Sequence, residues 1–464
     1  MKAWKQPMSL VLVMLMGLSL ILSACGGGKS DNASSSAPAS SPAGSPASSS
    51  ASPSGSASAE PAKDISGEIT VAGWDYIQKS LSAVLPEFNK EYPNIKVNFK
   101  VAPPADHYKK LTLDLSSGQG AGDVVAIEIQ NLPQYMELGA LEDLSEDINA
   151  YRDKFNKYKV ESATLDGKVY AMPIDSGPVG VYYRRDVFEK AGLPSDPDSV
   201  AKQLATWDSY LETAKIIKDK AGVAMLPLAG STNDARMFQI LMQQQGDWYF
   251  DKNGATAVNN DKTKKVLTLF DNLWKNGYAM DVQDWTDGWY AALKDGKVAT
   301  IPAAVWMGGF LKSFIAPDTA GKWGVVPLPV WEQDGARTSN DGGSYLAIPS
   351  QSKNKEAARA FVNFMLTKDA SQIALFKATD SFPSLETTYS DPYFAEKDPY
   401  FADQPYRQLF ADLADEILPV NYTGKYSEAN ALTMTELQKL ATKKQDVDAT
   451  LSAIESSIKS KTGQ

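Results

Sequence analysis

An α/β fold in two lobes is predicted, each lobe a doubly wound sheet with flanking helices and the two joined by crossing segments. Three observations predict it. The chain has 464 residues, more than one hydrophobic core usually supports, so about two lobes are expected once a non-globular start is set aside. Short apolar runs alternate with amphipathic helical patterns, as in βα units wound around a parallel sheet. Finally, the stretch Tyr170-Ala-Met-Pro-Ile-Asp-Ser-Gly-Pro-Val-Gly-Val-Tyr-Tyr-Arg-Arg-Asp186 interrupts that alternation. Pro173 and Pro178 each fix φ and remove a backbone donor, so the stretch reads as strand, short polar connection, strand. One α/β unit precedes it and another follows, so a ligand cleft is expected alongside.

The elements follow in order. Gly67 to Ala72 is a short buried strand. Ile77, Leu81, Val84, Leu85, Phe88 and Tyr92 keep a 3.6-residue period and predict one helix, stopped by Pro93-Asn94. Ile95, Val97, Phe99 and Val101 alternate, as a strand does. A helix with Tyr108, Leu111 and Leu115 ends at Gly118. Asp123 to Ile129 is apolar on both faces, as parallel strands are, and Leu132 to Leu138 is a short helix. Past the crossing, Asp186 to Ala191 is helical, and Thr206 is a plausible N-cap for a helix ending at Gly222. Met225 to Leu228 is a strand, Phe238 to Gln244 a helix, and Asp251-Lys-Asn-Gly254 a turn. A helix carries Val266 to Trp274. Gly296 to Ile301 and Trp323 to Pro327 are strands. Gly342 to Ile348 and Ser381 to Ser384 are candidate second and third crossings, Lys355 to Leu366 is a helix, and the rest is helical cover. This gives lobe 1 as 65–175 with 349–383 and lobe 2 as 176–342 with 384–464, with hinges near 173–180, 342–348 and 381–385.

A net charge of −10 argues against a nucleic-acid surface. One Cys and one His allow no thiolate–imidazole metal cage and no intrachain disulfide. His107 lies at a helix start and is expected to be solvated there. Residues 1–24 carry Lys2, Lys5 and an apolar run from Met8 to Leu22, the layout of an export signal rather than a spanning helix. Leu22-Ser-Ala-Cys25 looks like a lipobox, with Cys25 as the acylated (palmitate-bearing) residue after cleavage. Residues 25–64, Ser-, Ala- and Pro-rich, bury too little to fold and form a flexible stalk. The protein is expected lipid-anchored on the outer face of the cell membrane.

Ligands of doubly wound sheets bind off the carboxyl ends of the strands. That rule selects Trp74 and Asp75 after the first strand and Glu128 and Gln130 after the third. Asp175 and Ser176 lie in the first crossing, with Tyr182 in the strand beyond it. Trp306 follows the strand from Gly296, and Gly343 and Tyr345 lie in the second crossing. Flat aromatics beside carboxylates and amides suit a sugar, which offers apolar C–H faces and a ring of hydroxyls.

The same order of motifs resembles the family 1 extracellular solute-binding proteins of carbohydrate ABC importers, which include maltose-binding protein and arabino-oligosaccharide- and lactose-binding lipoproteins. The resemblance spans residues 67–460. It is carried by Phe88-Asn-Lys-Glu-Tyr-Pro-Asn-Ile-Lys-Val97, Gly122-Asp-Val-Val125, Gly167-Lys-Val-Tyr-Ala-Met-Pro173 and Val181 to Gly192. Thr206-Trp-Asp208, Gly296-Lys-Val-Ala299 and Gly342-Gly-Ser-Tyr-Leu-Ala-Ile348 add to it. It implies a type II periplasmic-binding-protein-like fold, no catalysis, no cofactor, a mono- or oligosaccharide ligand and an ABC permease partner, with the receptor acting as a monomer. Family sugar contacts would fall at Trp74, Asp75, Glu128, Gln130, Asp175, Ser176 and Trp306. Relatives often read Asn-Trp-Gly-Gly-Ser where this chain has Asn340-Asp341-Gly-Gly-Ser344, so a stacking contact is replaced by a carboxylate. Two rival functions make different demands on the chain. An exported glycoside hydrolase needs a carboxylate pair about 5–10 Å apart, and no spacing singles one out. A ferric-ion-binding receptor would use Tyr182 and Tyr183, but neighbours in a strand point to opposite faces, so only one can face the cleft. Tyr182 is the one expected there.

Overall fold

The structure, a computed structural model, describes residues 64–232 and 234–463. The leader, Cys25 and the stalk as far as residue 63 lie outside the described residues.

Two sheets organise the chain. Strands β1 (Gly67–Gly73), β2 (Ile95–Val101) and β3 (Val124–Glu128) pair in parallel in the order β2-β1-β3. After a small hairpin, β4 (Thr164–Leu165) and β5 (Lys168–Val169), comes β6 (Met172–Pro173) and then β7 (Val179–Arg184). Strands β8 (Leu226–Pro227) and β9 (Ala279–Met280) pair in parallel. They lie beside β10 (Thr300–Ala304) through a parallel bridge between Ala224 and Val298. Strand β11 (Trp323–Pro327) pairs with β7, and β12 (Ser344–Ala347) completes the first sheet between β3 and β6.

The parallel arrangement holds for β1 to β3, but not for the strands that arrive from a crossing. Strand β7 runs antiparallel to both β10 and β11, and β12 runs antiparallel to both β3 and β6. The reason is geometric. A segment that crosses from the other lobe enters at the cleft, where the carboxyl ends of the parallel strands lie, so it must run back against them.

The predicted helix over Ile77 to Tyr92 is two helices, Asp75–Ser82 and Leu85–Glu91. Pro86 has no N–H to continue the ladder, so the apolar period survives while the helix breaks. The helix Trp207–Ile216 starts with the expected cap: Thr206 Oγ1 accepts from Ser209 N at 3.1 Å, and Thr206 N donates in return to Ser209 Oγ. The predicted turn is closed by Asp251 Oδ1, which accepts from Asn253 N and Ala255 N.

Each sheet has its own core. Ile69, Val71, Ala126, Ile127, Tyr345, Phe361 and Met365 fill the first. The second sheet is covered on both faces: Val181 and Tyr183 pack with Trp207, Phe238 and Phe270 on one side, Tyr182 with Trp289, Phe401 and Phe410 on the other. Between the sheets the three crossings run side by side. Pro178 bridges to Asn340 and Asp175 to Pro383, both antiparallel. Gly177 sits where a Cβ would come within 2.5 Å of the Asp341 carbonyl, so its lack of a side chain lets the first two crossings touch.

Candidate functional site

A cavity of about 720 Å³ opens where the crossings meet the carboxyl ends of the strands. The volume falls within the range of ligand sites. Trp74 enters it directly after β1, Glu128 and Gln130 at the end of β3, Trp306 two residues past β10, and Asp175 and Gly343 from the first two crossings. The structure thus brings together six of the ten residues selected from sequence.

The other four lie elsewhere. Asp75 turns outward from the first helix and pairs with Lys79 at 2.7 Å, both side chains well exposed. Ser176 is fully buried and its hydroxyl bonds Asn156 and Ser384 between crossings. Tyr182 is 0 % exposed in the middle of β7, its hydroxyl donating to the Ala304 and Val305 carbonyls. Tyr183 points to the opposite face and is equally buried, donating to Ser195 O at 2.8 Å. Strand alternation separates the two phenols as expected, but both faces carry helices, so neither phenol reaches the cleft. Tyr345 is likewise core, its hydroxyl donating to Lys159 O. Among the described residues no group of three or more His, Cys, Asp or Glu side chains is arranged to hold a metal ion. His107 is not solvated: it is buried, bonded through Nε2 to the Ala126 carbonyl at 2.9 Å, and edge-on to Trp74 at 5.7 Å.

Aromatic rings form one wall. Trp306 Nε1 donates to the Asp341 carbonyl at 2.9 Å, and its ring stacks on Trp285 at 5.8 Å. Phe310 lies edge-on to both and stacks in turn on Tyr76 at 6.1 Å, joining the two sides of the cleft. Opposite stands a polar face. Tyr108 donates to Glu128 Oε2 at 3.0 Å, and burial raises the Glu128 carboxyl above its ordinary range. Gln239 Nε2 donates to Asn430 and Tyr426 donates to Gln239, while Tyr422 donates to Gln243 Oε1 at 2.8 Å.

Asp175 does two things. Its Oδ1 accepts from Ser344 N at 2.6 Å and its Oδ2 from Ser381 Oγ at 3.2 Å. One carboxylate therefore holds all three crossings, on a residue that is almost fully buried and lines the cavity. Lys159 lies beneath it, 0 % exposed, with Nζ 3.3 Å from the Ser344 carbonyl and 3.8 Å from the Tyr345 ring centroid. Burial lowers the Lys159 pKa to about 7 and raises that of Asp175.

Sequence reasoning missed Tyr76, Asp234, Arg236, Gln239, Trp248, Trp285, Tyr422, Tyr426 and Asn430, all lining the cavity; Asn340 and Asp341, where the sequence sets a carboxylate in place of a stacking ring, line it too. A signal existed for some. Tyr426, Asn430 and Met434 recur at four-residue spacing on the helix Tyr426–Ala441, one face of it. Arg236, Gln239 and Gln243, three and four residues apart, likewise share one face of Arg236–Gln243. A neighbouring cavity of about 620 Å³ shares Trp248 and Tyr422 with the first and continues past them to Glu137, Glu161 and Asn421.

Residues 74–372 match the family described as bacterial extracellular solute-binding proteins. A lactose-binding protein from Rhizobium radiobacter is 31% identical over 400 residues, covering 84% of this chain and 92% of that protein. An arabinooligosaccharide-binding protein from Bacillus subtilis (strain 168) is 27% identical, covering 81% and 88%. The solved ABC-transporter-associated binding protein from B. animalis subsp. lactis Bl-04, in complex with beta-1,6-galactobiose, superposes with a TM-score of 0.72 at 26% identity, covering 85% of this chain and 97% of that one.

Proposed function

The chain belongs to the bacterial extracellular solute-binding proteins, and we propose that it captures a sugar between its two lobes and delivers it to an ABC permease in the membrane. The observation that carries this reading is the cavity itself: stacked indoles on one wall, and amides, phenols and carboxylates on the other, at the ends of the strands and across the crossings. The binding roles of Trp74, Glu128, Gln130, Asp175, Gly343 and Trp306 are part of the proposal. An oligosaccharide rather than a single ring is favoured by the second cavity beyond Trp248 and Tyr422.

The two lobes are proposed as 65–175 with 349–383 and 176–342 with 384–464. Support comes from the cores, one drawn mainly from 69–174 and 345–366, the others from 179–328 and 394–458, with Ile373, Phe376 and Phe382 packing on the second side. Contacts made by both sides, such as Tyr76 with Phe310 and Gly424 N with Glu137 Oε1 at 2.9 Å, exist only when the cleft is closed. A ligand touching both sides then shifts the open–closed population toward closed.

A screen of mono- and oligosaccharides by thermal unfolding tests the reading. A sugar at 100 times its dissociation constant is expected to add about 2.7 kcal/mol of stability. A flat response to every sugar tried removes it.

Anchoring through lipid on Cys25, with the receptor working singly on the outer surface, completes the proposal. It rests on the Leu22-Ser-Ala-Cys25 motif behind an apolar run and on Cys25 being the chain's one cysteine. No helix among the described residues is long and apolar enough to cross a membrane. Cys25→Ala is expected to move the protein from the membrane fraction to the medium or soluble fraction, and retention at the membrane would remove the anchor assignment.

A further inference from the structure

We propose that the cleft selects uncharged sugars and rejects acidic ones, because Arg236, the cation in its wall, is clamped between Asp284 and Asp341. This rests on the carbohydrate reading above and narrows its ligand class. Arg236 opens the helix Arg236–Gln243 and lines the cavity. Its Nε donates to Asp284 Oδ2 at 2.6 Å, and its Nη1 to Asp341 Oδ2 at 2.9 Å and to the Pro302 carbonyl at 3.2 Å. The three side chains are 18 %, 10 % and 11 % exposed, so the group is largely shielded from water and carries a net charge of one negative.

The consequence is chemical. Among the described residues Nη2 has no acceptor, which leaves it an unused donor on a residue that lines the cavity. A hydroxyl or ring oxygen can accept from it. A carboxylate or phosphate would meet the same N–H inside a field whose sign opposes it. The rest of the lining has that sign too: Glu128 and Asp234 carry carboxylates, and Asp175 a third. Lys159 offers no relief, since it is buried behind Asp175 and held by the Ser344 carbonyl and the Tyr345 ring. An arginine in a sugar site ordinarily invites an anion, because its fork matches a carboxylate. Here two carboxylates already occupy the fork. Like-charge placement of this kind is how a site excludes the wrong ligand.

The test uses the full-length chain and three matched ligands. The first is the neutral sugar that gives the largest thermal shift. The others are the same sugar with one hexose replaced by its uronic acid, and with one replaced by its hexosamine. Calorimetric titration at low ionic strength is expected to show the uronate binding at least tenfold more weakly than the neutral sugar. Asp341→Asn is expected to cut that difference to threefold or less. Should Asp341→Asn fail to fold, the wild-type ratio is read against salt: repulsion is screened, so the gap narrows as salt rises. A uronate that binds as well as the neutral sugar overturns the inference and leaves the carbohydrate reading intact. So does a gap indifferent to both Asp341→Asn and salt. If none of the three ligands binds, the carbohydrate reading itself falls and the inference with it.

Discussion

Asp175→Asn is expected to cost about 3 kcal/mol of folding stability, because it removes the charge that offsets a buried ammonium. Lys159 is 0 % exposed, and the carboxylate of Asp175 offsets its charge more strongly than Glu128 does. Asparagine keeps the shape and can still accept from Ser344 N, so the backbone bond at 2.6 Å is retained in kind. What is lost is the charge. The cost should depend on pH in a definite direction. Burial lowers the Lys159 pKa from 10.5 to about 7. Between those values the unfolded chain holds a proton that the folded chain has released, so stability rises with pH across that window. A variant lacking the offsetting carboxylate suffers most where Lys159 must stay protonated. Its deficit is therefore largest well below pH 7 and is lost as pH rises through about 7, above which the folded chain no longer carries the ammonium with or without Asp175. Denaturant unfolding of Asp175→Asn, Lys159→Met and the double variant measures this. The double variant should recover most of the loss, since no ammonium is left stranded. A deficit that persists undiminished in the Lys159→Met background would assign it to the hydrogen bonds of the crossing instead.

Much of this hinge was legible in the chain, and the reasons are physical. Pro173, Gly177 and Pro178 announce a break from regular structure because their backbones cannot continue a helix or a ladder. Apolar runs placed β1 to β3, and the rule that ligands bind at carboxyl ends of strands then found Trp74, Glu128, Gln130 and Trp306. Direction was less legible. Nothing local in Val179–Arg184 or Ser344–Ala347 says that these strands run against their neighbours, since that follows from which side of the cleft they enter. Tyr182 shows the same limit: alternation separates it from Tyr183, but only tertiary packing reveals that Phe410 and Trp207 lie over the two faces. Arg236 illustrates it further. Its partners are 48 and 105 residues away, so the clamp exists only once the lobe has folded. The cavity-facing stripe of Tyr426, Asn430 and Met434 was readable from its spacing, yet spacing alone does not tell a face turned to a cavity from one turned to a core.

Trp306→Ala is expected to weaken sugar binding about 30-fold while leaving stability nearly unchanged. The figure follows from about 2 kcal/mol for a buried anchoring tryptophan at 1.4 kcal/mol per factor of ten. Its ring is held before any ligand arrives. Nε1 donates to the Asp341 carbonyl at 2.9 Å, Trp285 stacks behind it at 5.8 Å and Phe310 meets it edge-on at 6.0 Å. Little rotamer freedom is left to lose on binding, so most of the stacking energy is available to the ligand. Trp306 is half-buried at the cavity edge rather than in a core, so truncation opens space to solvent instead of leaving a sealed void. Trp306→Phe should keep most of the affinity, because it retains a flat apolar face though it loses the bond to Asp341. Asp75→Ala supplies the contrast. Its carboxylate pairs with Lys79 on the surface and lies outside the cavity lining, so affinity should stay within a factor of two. Calorimetric titration of the three variants with one sugar, alongside their denaturant midpoints, separates binding from folding. An affinity for Trp306→Ala within threefold of the unmodified chain would mean that the ligand does not stack on this wall. If Asp75→Ala weakened binding instead, the ligand would have to lie on the outer face of the first helix rather than between the lobes.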